Sequence, residues 1–352
     1  MIARKGLALG ETQTEVCATN MAYTRRNFLN FIARSEPRAD DCWLHVSRTA
    51  MACKFEVTLP RSEETGVVAA TEALDEVDRL EAQLSVFRES SEVSYVNSNA
   101  ASSPVKLSES LCQLFTLCRD LYQETSGAFD ITSGPLTRCW GFLRREGQLP
   151  ADAEIAAALS VVGTNHLELD NEAQTIRFRK SGVEINLGSI GKGYALDHAA
   201  MLLATNVKTA LLNAGASSMK AIGEGERGDG WLVGLRHPRS KFKRLGVLRL
   251  HDCALSTSGN EEQFFDHAGR RFSHIIDPRS GWPAEGVTSV SVVAPTCALS
   301  DALATAFFVG GRQLAETYCA THEDVLVVML ESSSQVPIVI GNSEGCDGLR
   351  DF

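Results

Sequence analysis

The sequence predicts an α+β fold, in which helices and strands are clustered along the chain rather than strictly alternating. Apolar residues recur at three- and four-residue steps within residues 64–84 and 108–121, which is the period of an amphipathic helix. From residue 166 onward, short apolar or alternating segments typical of strands dominate. No repeat or low-complexity linker divides the sequence.

The first half of the chain is predicted to be mainly helical. A strand over residues 54–59 ends at Pro60, and a long helix over 64–84 follows it. A second helix begins at Ser108, a typical N-cap, and stops at Gly127. A third, short helix follows Ala151-Asp152.

The second half is predicted to be rich in strands. Residues 166–169 and 175–178 flank a turn and predict a hairpin. Further strands are predicted over residues 183–187, around Leu211, and over 231–235, 247–250, 272–276, 287–293 and 325–330. Helices are predicted over residues 194–204, 301–309 and 312–320.

Composition and charge exclude several classes of protein. The 352 residues carry 34 Lys and Arg against 44 Asp and Glu, a net charge of −10, which argues against a nucleic-acid-binding protein. No apolar run approaches the ~18 residues of a transmembrane helix. The ten cysteines include no C-x-x-C pair, so a structural zinc site is not expected. Scattered cysteines in apolar runs, such as Cys112 and Cys118, are typical of buried side chains in a reducing compartment.

The N-terminal region is predicted to be a flexible polar extension over residues 1–43. Residues 24–29 look like a twin-arginine export motif, but an export signal then needs an apolar stretch of seven or more residues. Here Phe31-Ile32-Ala33 is followed at once by Arg34. Cys42 follows a segment too polar for a lipoprotein cleavage site. We therefore expect a cytoplasmic protein, with export as the alternative.

Two glycine-rich segments predict different structures. Residues 223–228 match G-x-G-x-x-G, but a strand pattern follows, where a dinucleotide fingerprint needs a helix, so we expect a hairpin loop. Residues 188–193 join a predicted strand to a predicted helix and contain Lys192. Backbone N–H groups at such a helix start can bind phosphate, although an ordinary helix-start turn explains the glycines equally well.

Hydroxyl, imidazole and carboxylate side chains in the C-terminal half suggest a catalytic site. Thr257 begins a Thr-Ser-Gly-Asn turn that could hold phosphate oxygens, and Thr257 is a candidate cofactor contact, although such clusters are usually plain turns. His274 at a strand end could be structural or a general base. Asp301 and Thr305 share one helix face and could offer oxygen ligands to Mg²⁺. The alternative is a carboxylate that favours the helix dipole, with a threonine packed in the core.

Eight short motifs occur in a fixed order along the chain. They are Met51-Ala52-Cys53; Leu84-Ser85-Val86-Phe87 with Ser91-Glu92-Val93; Gly127-Ala128-Phe129-Asp130-Ile131-Thr132; Asn186-Leu187-Gly188-Ser189-Ile190-Gly191-Lys192-Gly193-Tyr194-Ala195; Asn213-Ala214-Gly215; Ser256-Thr257-Ser258-Gly259; His274-Ile275-Ile276-Asp277-Pro278; and Ser300-Asp301-Ala302-Leu303-Ala304-Thr305. Each motif is short, but the ordered series resembles the ApbE family of FAD:protein FMN transferases over nearly all of residues 44–335. The length alone suits about two domains. The series instead implies one ApbE-like domain over residues 44–352, because all motifs must serve one cofactor. The fold that the resemblance implies is a compact α+β unit with mixed β-sheets flanked by helices.

The resemblance implies a magnesium-dependent enzyme that cleaves the pyrophosphate of FAD. FMN would pass to a threonine or serine hydroxyl of a target flavoprotein, such as a redox-pump or electron-transfer subunit, and AMP would be released. Two alternatives remain open at this point. One is a magnesium-dependent FAD pyrophosphatase that yields FMN and AMP, and the other is a non-catalytic FAD-binding protein.

The resemblance also implies a role for individual residues. His274 would act as the base, and Asp301 would be catalytic as well as a metal ligand. Mg²⁺ would be held by Ser189, through its backbone carbonyl, with Asp301 and Thr305. The FAD site would be lined by Met51, Phe87, Ala128, Phe129, Asp130, Asn186, Lys192 and Ile276.

The sequence departs from the family pattern at several positions. The family usually has Met-Gly-Thr at residues 51–53, where this chain has Ala52 and Cys53. An Asp is common at the place of Asn186, and some members carry a second Asp at the place of Ala304. Most members also carry an export or lipoprotein signal. These departures motivate the non-catalytic alternative.

Overall fold

The computed structural model describes residues 15–18, 21–22, 43–225, 228–240, 242–261 and 263–341. The twin-arginine-like segment and most of the predicted extension lie outside these residues. Within them, helices and strands are clustered along the chain, and all strand pairs in the sheets are antiparallel. The α+β prediction is confirmed.

The strands form four sheets in the described part of the chain. They are β1 (Glu15–Ala18), β2 (Met21–Ala22), β3 (Trp43–Ala50), β4 (Cys53–Pro60), β5 (Val105–Lys106), β6 (Leu167–Asp170), β7 (Thr175–Phe178), β8 (Ala210–Ala214), β9 (Ser218–Ile222), β10 (Trp231–Arg236), β11 (Arg244–Leu250), β12 (Ala254–Gly259), β13 (Phe264–His267), β14 (Arg270–Ser273), β15 (Val287–Ala294), β16 (Leu326–Glu331) and β17 (Ile338–Gly341).

Seven α-helices lie in the described part of the chain. They are α1 (Val67–Leu84), α2 (Glu92–Asn99), α3 (Glu109–Glu124), α4 (Gly134–Cys139), α5 (Asp152–Leu159), α6 (Gly191–Leu203) and α7 (Cys297–Cys319). No helix in the described ranges combines the length and the apolar content that crossing a bilayer requires.

A ten-stranded sheet organises the molecule, in the order β17-β16-β15-β12-β9-β8-β4-β3-β1-β2. Alternate residues of its strands face a main hydrophobic core under α1, α6 and α7, where Phe55, Phe307 and Phe308 are fully buried. The opposite face carries a second cluster beneath the two-stranded ribbon β10–β11, including Leu248 and Leu326. The sheet therefore separates two apolar layers.

Two smaller units complete the fold. The three-stranded sheet β5-β7-β6 lies beside α3. A third hydrophobic cluster joins α4 and α5 to the hairpin β13–β14 around the fully buried Trp140. The indole Nε1–H of Trp140 donates to the carbonyl of Gly281 over 2.9 Å, which ties the loop after β14 to α4.

Most sequence-predicted elements are confirmed, with bounds that differ by a few residues. The helix predicted from Ser108 is α3, and the Ser108 hydroxyl accepts the N–H of Leu111 as an N-cap. The two helices predicted over 301–309 and 312–320 form one element, α7, broken at Gly311, whose φ is 68°. Helices α2 and α4 were not predicted.

Three interpretations from the sequence were wrong. Residues 183–187 form no strand, because the side chain of Asn97 bonds both backbone groups of Ile185 in place of a neighbouring strand. Residues 257–259 are not a turn but the end of β12, where the strand pairs with β15. Residues 223–225 and 228–230 lie between β9 and β10, which belong to different sheets, so this connection is not a hairpin. The following strand does exclude a dinucleotide fingerprint, as expected.

Candidate active site

A cavity of about 210 Å³ opens where the main core meets the third cluster. Six parts of the chain between residues 128 and 305 supply its walls. The lining residues are Ala128, Asp130, Ser133 and Thr137; Asn186, Gly188, Ser189 and Lys192; Ser217; Thr257, Ser258 and Gly259; His274, Ile275, Ile276 and Pro278; and Asp301 and Thr305. The walls are rich in hydroxyls and carry one lysine, one histidine and two carboxylates.

The glycine-rich turn enters the cavity at the start of α6. The side-chain Oδ1 of Asn186 accepts the N–H of Gly188 over 2.9 Å, which shapes the turn, and α6 begins at Gly191. The first N–H groups of a helix have no partner within the helix and carry its positive dipole end. One of them, from Gly193, donates to Oδ2 of Asp301 over 3.1 Å. The N–H groups of Ile190 and Gly191 donate to the carbonyl of Leu187, so what the turn offers an anion in the cavity is the positive dipole end of α6.

Lys192 and Asp301 are connected through two serines. The ammonium of Lys192 donates to the hydroxyl of Ser217 over 3.0 Å, and the hydroxyls of Ser217 and Ser218 are 3.5 Å apart. The Ser218 hydroxyl lies 3.4 Å from Oδ1 of Asp301. Positive and negative groups are therefore held in one polar network, which positions Lys192 along the cavity wall.

Asp301 and Thr305 lie one turn apart on α7, as the sequence predicted. Asp301 is buried, and the Thr305 hydroxyl is 3.4 Å from the hydroxyl of Ser258 on β12. Together with the backbone of Ser189, these groups offer only oxygen donors. A set with one carboxylate and neutral oxygens fits Mg²⁺, which is usually bound through one or two carboxylates plus substrate phosphates. In the described part of the chain, no group of three or more His, Cys, Asp or Glu side chains forms a dedicated metal cage.

His274 follows β14 and faces the cavity from the side of the third cluster. Its Nδ1 lies 3.0 Å from the carbonyl oxygen of Gln263. A carbonyl only accepts, so Nδ1 carries the hydrogen of that bond, and in the neutral ring Nε2 then carries the lone pair. The ring is half-buried and packs edge-on to Phe142. This orientation suits a proton acceptor at Nε2.

Asp130 is the second carboxylate of the cavity wall and is almost fully buried. Burial raises the pKa of its carboxyl group, while hydrogen bonds from the backbone and hydroxyl groups of Thr132 and Thr164 act in the opposite direction. Asp130 also borders a neighbouring cavity of about 250 Å³ that includes Tyr122 and Arg279. The carboxylate is thus a rigid acceptor in the wall between two cavities.

Three of the residues assigned by resemblance lie outside the cavity wall. The side chain of Phe129 is 1% exposed and packs in the main core, although Ala128 and Asp130 on either side of it line the cavity. Phe87, after α1, is 72% exposed. Met51 occupies the turn between β3 and β4, where its N–H donates to Glu81. The structure brings the other predicted residues together.

Several lining residues were not singled out from the sequence. They are Ser133, Thr137, Ser217, Ser258 and Pro278. Ser258 and Pro278 lie within motifs that were recognised, and Ser217 follows the motif 213–215, so their proximity to motif residues was the available signal. Thr137 lies on α4 and Ser133 directly precedes that helix, which is too short to be recognised from periodicity.

Comparison with known proteins identifies the family of this chain. A family model described as "ApbE family" matches residues 51–330. The chain belongs to the ApbE family. It is 31% identical over 249 residues to the FAD:protein FMN transferase of Escherichia coli K12, covering 69% of this chain and 70% of the relative. It is 37% identical over 220 residues to the enzyme of the same description from Rhodobacter capsulatus, covering 61% of this chain and 41% of the relative.

Solved ApbE structures share the fold. The ApbE protein of Thermotoga maritima superimposes with a TM-score of 0.77 at 27% identity, over 85% of this chain and 97% of the other. The recognition from eight ordered motifs is therefore confirmed, and the chain is a transferase of the ApbE family. Ala304, where some members carry an Asp, is fully buried in the main core.

Proposed function

We propose that this chain transfers FMN from FAD to a threonine or serine hydroxyl of a target flavoprotein, in a magnesium-dependent reaction that releases AMP. The observation that carries the proposal is the convergence of Lys192, His274, Asp301 and Thr305, from distant parts of the chain, on one cavity. The descriptions of the relatives support FAD and a protein as the two substrates.

The cavity walls can bind the pyrophosphate of FAD. The ammonium of Lys192 and the positive dipole end of α6 offer positive charge, while the hydroxyls of Ser217, Thr257 and Ser258 are hydrogen-bond donors. Local positive groups are necessary because both FAD and the chain, at −10, are anionic. These groups would orient the phosphorus of the FMN half toward His274.

Asp301, Thr305 and the carbonyl of Ser189 would hold Mg²⁺. When bound, the ion neutralises charge that develops on the pyrophosphate oxygens. Asp301 is held in place by the N–H of Gly193 and the hydroxyl of Ser218, so the carboxylate needs little reorganisation. Asn186 contributes a neutral amide where many members have Asp, which lowers the negative charge of this wall.

His274 would activate the acceptor. Its Nε2 takes the proton of the threonine hydroxyl as the hydroxyl oxygen bonds to the phosphorus of the FMN half. The bond from that phosphorus to the bridging oxygen breaks, and AMP leaves with the bridging oxygen and its electron pair. Gln263, by accepting the Nδ1 hydrogen, keeps Nε2 as the accepting atom.

Magnesium-dependent release of AMP, with and without an acceptor, tests the proposal. The full chain is incubated with FAD, Mg²⁺ and a threonine-bearing acceptor peptide or its alanine version, and AMP and covalent flavin are quantified by chromatography and mass spectrometry. We expect both products only with Mg²⁺ and the threonine peptide. Asp301→Asn should remove both, whereas Asp120→Asn, an exposed carboxylate on α3, should not.

The two alternatives give different products. AMP with unattached FMN in the absence of an acceptor would indicate a pyrophosphatase. Tight binding of FAD without any AMP, unchanged by Asp301→Asn, would indicate a non-catalytic binding protein.

A further inference from the structure

The ribbon β10–β11 ends in a strongly basic loop on an acidic protein. Residues 236–244 contain five Lys and Arg and no Asp or Glu, whereas the whole chain carries a net charge of −10. Arg236, Arg239, Lys243 and Arg244 are exposed. Among the described residues, no carboxylate lies within ion-pair distance of Arg236, Lys243 or Arg244.

Two of these arginines are placed side by side by the strand register. Arg236 and Arg244 are direct partners across the ribbon, and like charges in such a pair are unfavourable. The side chain of Arg244 lies over Gly234, where a Cβ would be 3.0 Å from its Cδ. The glycine therefore leaves room for a second guanidinium on the outer face of the ribbon. A paired cationic surface of this kind suits an anionic partner.

The loop is attached to the end of the large sheet that forms the cavity. Nη2 of Arg239 donates to the hydroxyl of Thr288 and to the carbonyl of Ser332, each over 3.0 Å. The carbonyl of Thr288 in turn accepts the N–H of Asn260 over 3.3 Å. Asn260 directly follows Gly259, which lines the cavity. The basic loop thus stands beside the cavity rim.

An apolar side chain accompanies the charges. Phe242 is 99% exposed, more than any other large apolar side chain in the described ranges. Exposed single apolar residues are common on protein surfaces. Here, however, the exposed ring lies next to Lys243 and the arginines of the loop. A partner could therefore make apolar contact with the ring and ionic contact with the charged side chains, and protein interfaces commonly combine aromatic side chains with arginine.

We propose that the outer face of the ribbon end, formed by Arg236, Phe242, Lys243 and Arg244, docks an acidic segment of the protein that accepts FMN. The proposal rests on the proposed function, because only a protein acceptor needs a docking surface beside the cavity. Opposite charges raise the rate of encounter and orient the acceptor, so the acidic segment would lie near the acceptor threonine.

Peptides with different tails separate docking from chemistry. The threonine segment that is flavinylated in the test above is prepared with a run of glutamates or with an equal run of glutamines. At low salt, we expect the unaltered chain to have a kcat/KM about tenfold higher for the peptide with the glutamate tail, because its KM is lower. At about 1 M salt, where the Debye length is about 3 Å, this preference should disappear. Transfer to the glutamine peptide reports the flavin chemistry alone.

Charge reversal identifies the surface. The pair Arg236→Glu with Arg244→Glu should abolish the preference for the glutamate tail and leave transfer to the glutamine peptide unchanged. The matched control is Arg61→Glu with Lys208→Glu, which changes the charge equally. Lys208 precedes β8 and Arg61 follows β4, so both lie at the end of the sheet away from the cavity. The control variant should therefore keep the preference for the glutamate tail. The neutral pair Arg236→Gln with Arg244→Gln should give an intermediate preference.

The outcomes distinguish the two proposals. If neither peptide is flavinylated, the proposed function fails. If both peptides are flavinylated and the charge-reversed pair behaves like its control, the docking surface is overturned. Binding of the unaltered chain to phosphatidylserine vesicles, lost in the reversed pair while the peptides show no tail preference, would assign the surface to a lipid and would also overturn the proposal.

Discussion

At the residue scale, the turn between β3 and β4 contains two residues in the left-handed region. The φ angles of Met51 and Ala52 are 47° and 59°. A side chain in this region crowds the following carbonyl, and glycine avoids that cost. The usual glycine of the ApbE family at position 52 is therefore explained by backbone geometry, and Ala52 is a strained replacement.

Restoring glycine at position 52 should stabilise the protein. We expect Ala52→Gly to raise the free energy of unfolding by roughly 0.5–1 kcal/mol, since relief of the left-handed strain exceeds the entropy that glycine adds to the unfolded chain. Ala157→Gly, at an exposed site within α5, should have the opposite effect and cost about 1 kcal/mol. Urea denaturation of both variants measures the difference, and two changes of the same sign would contradict the explanation.

A charged group on β4 contributes to stability in a pH-dependent way. The hydrogen bond from His45, with Nδ1 3.5 Å from Oε1, lowers the pKa of Glu56 from 4.5 to about 2, assisted by Lys54 and opposed by burial. The folded state therefore favours the ionised carboxylate. This contribution is complete above about pH 4.5 and is lost as the pH falls toward 2.

Removing the Glu56 charge should reduce stability only above this range. We expect Glu56→Gln to lower the free energy of unfolding by about 1 kcal/mol near neutral pH, a value reduced from the full shift because the group is partly exposed. The difference should disappear toward pH 2. Denaturation at several pH values checks this, with the exposed Glu172→Gln as a control; a difference that persists in acid would exclude the assigned cause.

At the element scale, α6 positions α7 and hence the helix face that carries Asp301 and Thr305. The carboxylate of Asp197 accepts the N–H groups of Cys297 and Ala298 at the start of α7, each over 2.8 Å. The two helices approach so closely that a Cβ on Gly193 would lie 2.2 Å from the carbonyl oxygen of Cys297. Asp301 follows one turn later, so its position depends on this contact.

An alanine at Gly193 should separate the two helices. We expect Gly193→Ala to lower the free energy of unfolding by about 2 kcal/mol or more, because the backbone of α7 must move to admit the new Cβ. The same movement should displace Asp301 and lower FMN transfer. Gly191→Ala, two residues earlier, meets nothing closer than 3.8 Å and should leave thermal stability equal or slightly higher. Melting curves and transfer assays on the pair measure both effects; equal melting temperatures would show that the contact is not tight.

At the scale of the whole molecule, the large sheet separates the cavity from the second hydrophobic cluster. The cavity lies on the side of α6 and α7, beside the third cluster, whereas Leu326 on β16 packs beneath the ribbon. Core side chains on the two sides should therefore contribute equally to stability but differently to activity.

Truncation on each side tests this separation. Leu326→Ala should lower the free energy of unfolding by roughly 2–5 kcal/mol. At low temperature, where the variant stays folded, its rate of FMN transfer should be unchanged. Phe272→Ala should cost a similar amount and also lower transfer, because Phe272 lies two residues before His274 in the third cluster. Unfolding curves together with initial rates below the melting range provide the comparison. A loss of activity in Leu326→Ala would contradict the separation.

The sequence predicted those features whose cause is local. Amphipathic periods located α1 and α3, and the ordered motifs located ten of the lining residues, including Lys192, His274 and Asp301. Short elements such as α4 escaped prediction because a helix of two turns shows no period. The strand predicted over 183–187 failed because Asn97, far away in sequence, bonds Ile185.

The sequence by itself determined the α+β class, most long elements, the family and most of the predicted residues that line the cavity. Only the tertiary structure decided which side chains meet. It placed the Phe129 ring in the core, connected Ser217 to Lys192, and set Arg236 opposite Arg244 beside the cavity rim. The physical reason is the distance along the chain over which each effect acts. Periodicity and turn chemistry act over a few residues, whereas the cavity joins residues 128 to 305 through the order of strands and the packing of α6 on α7.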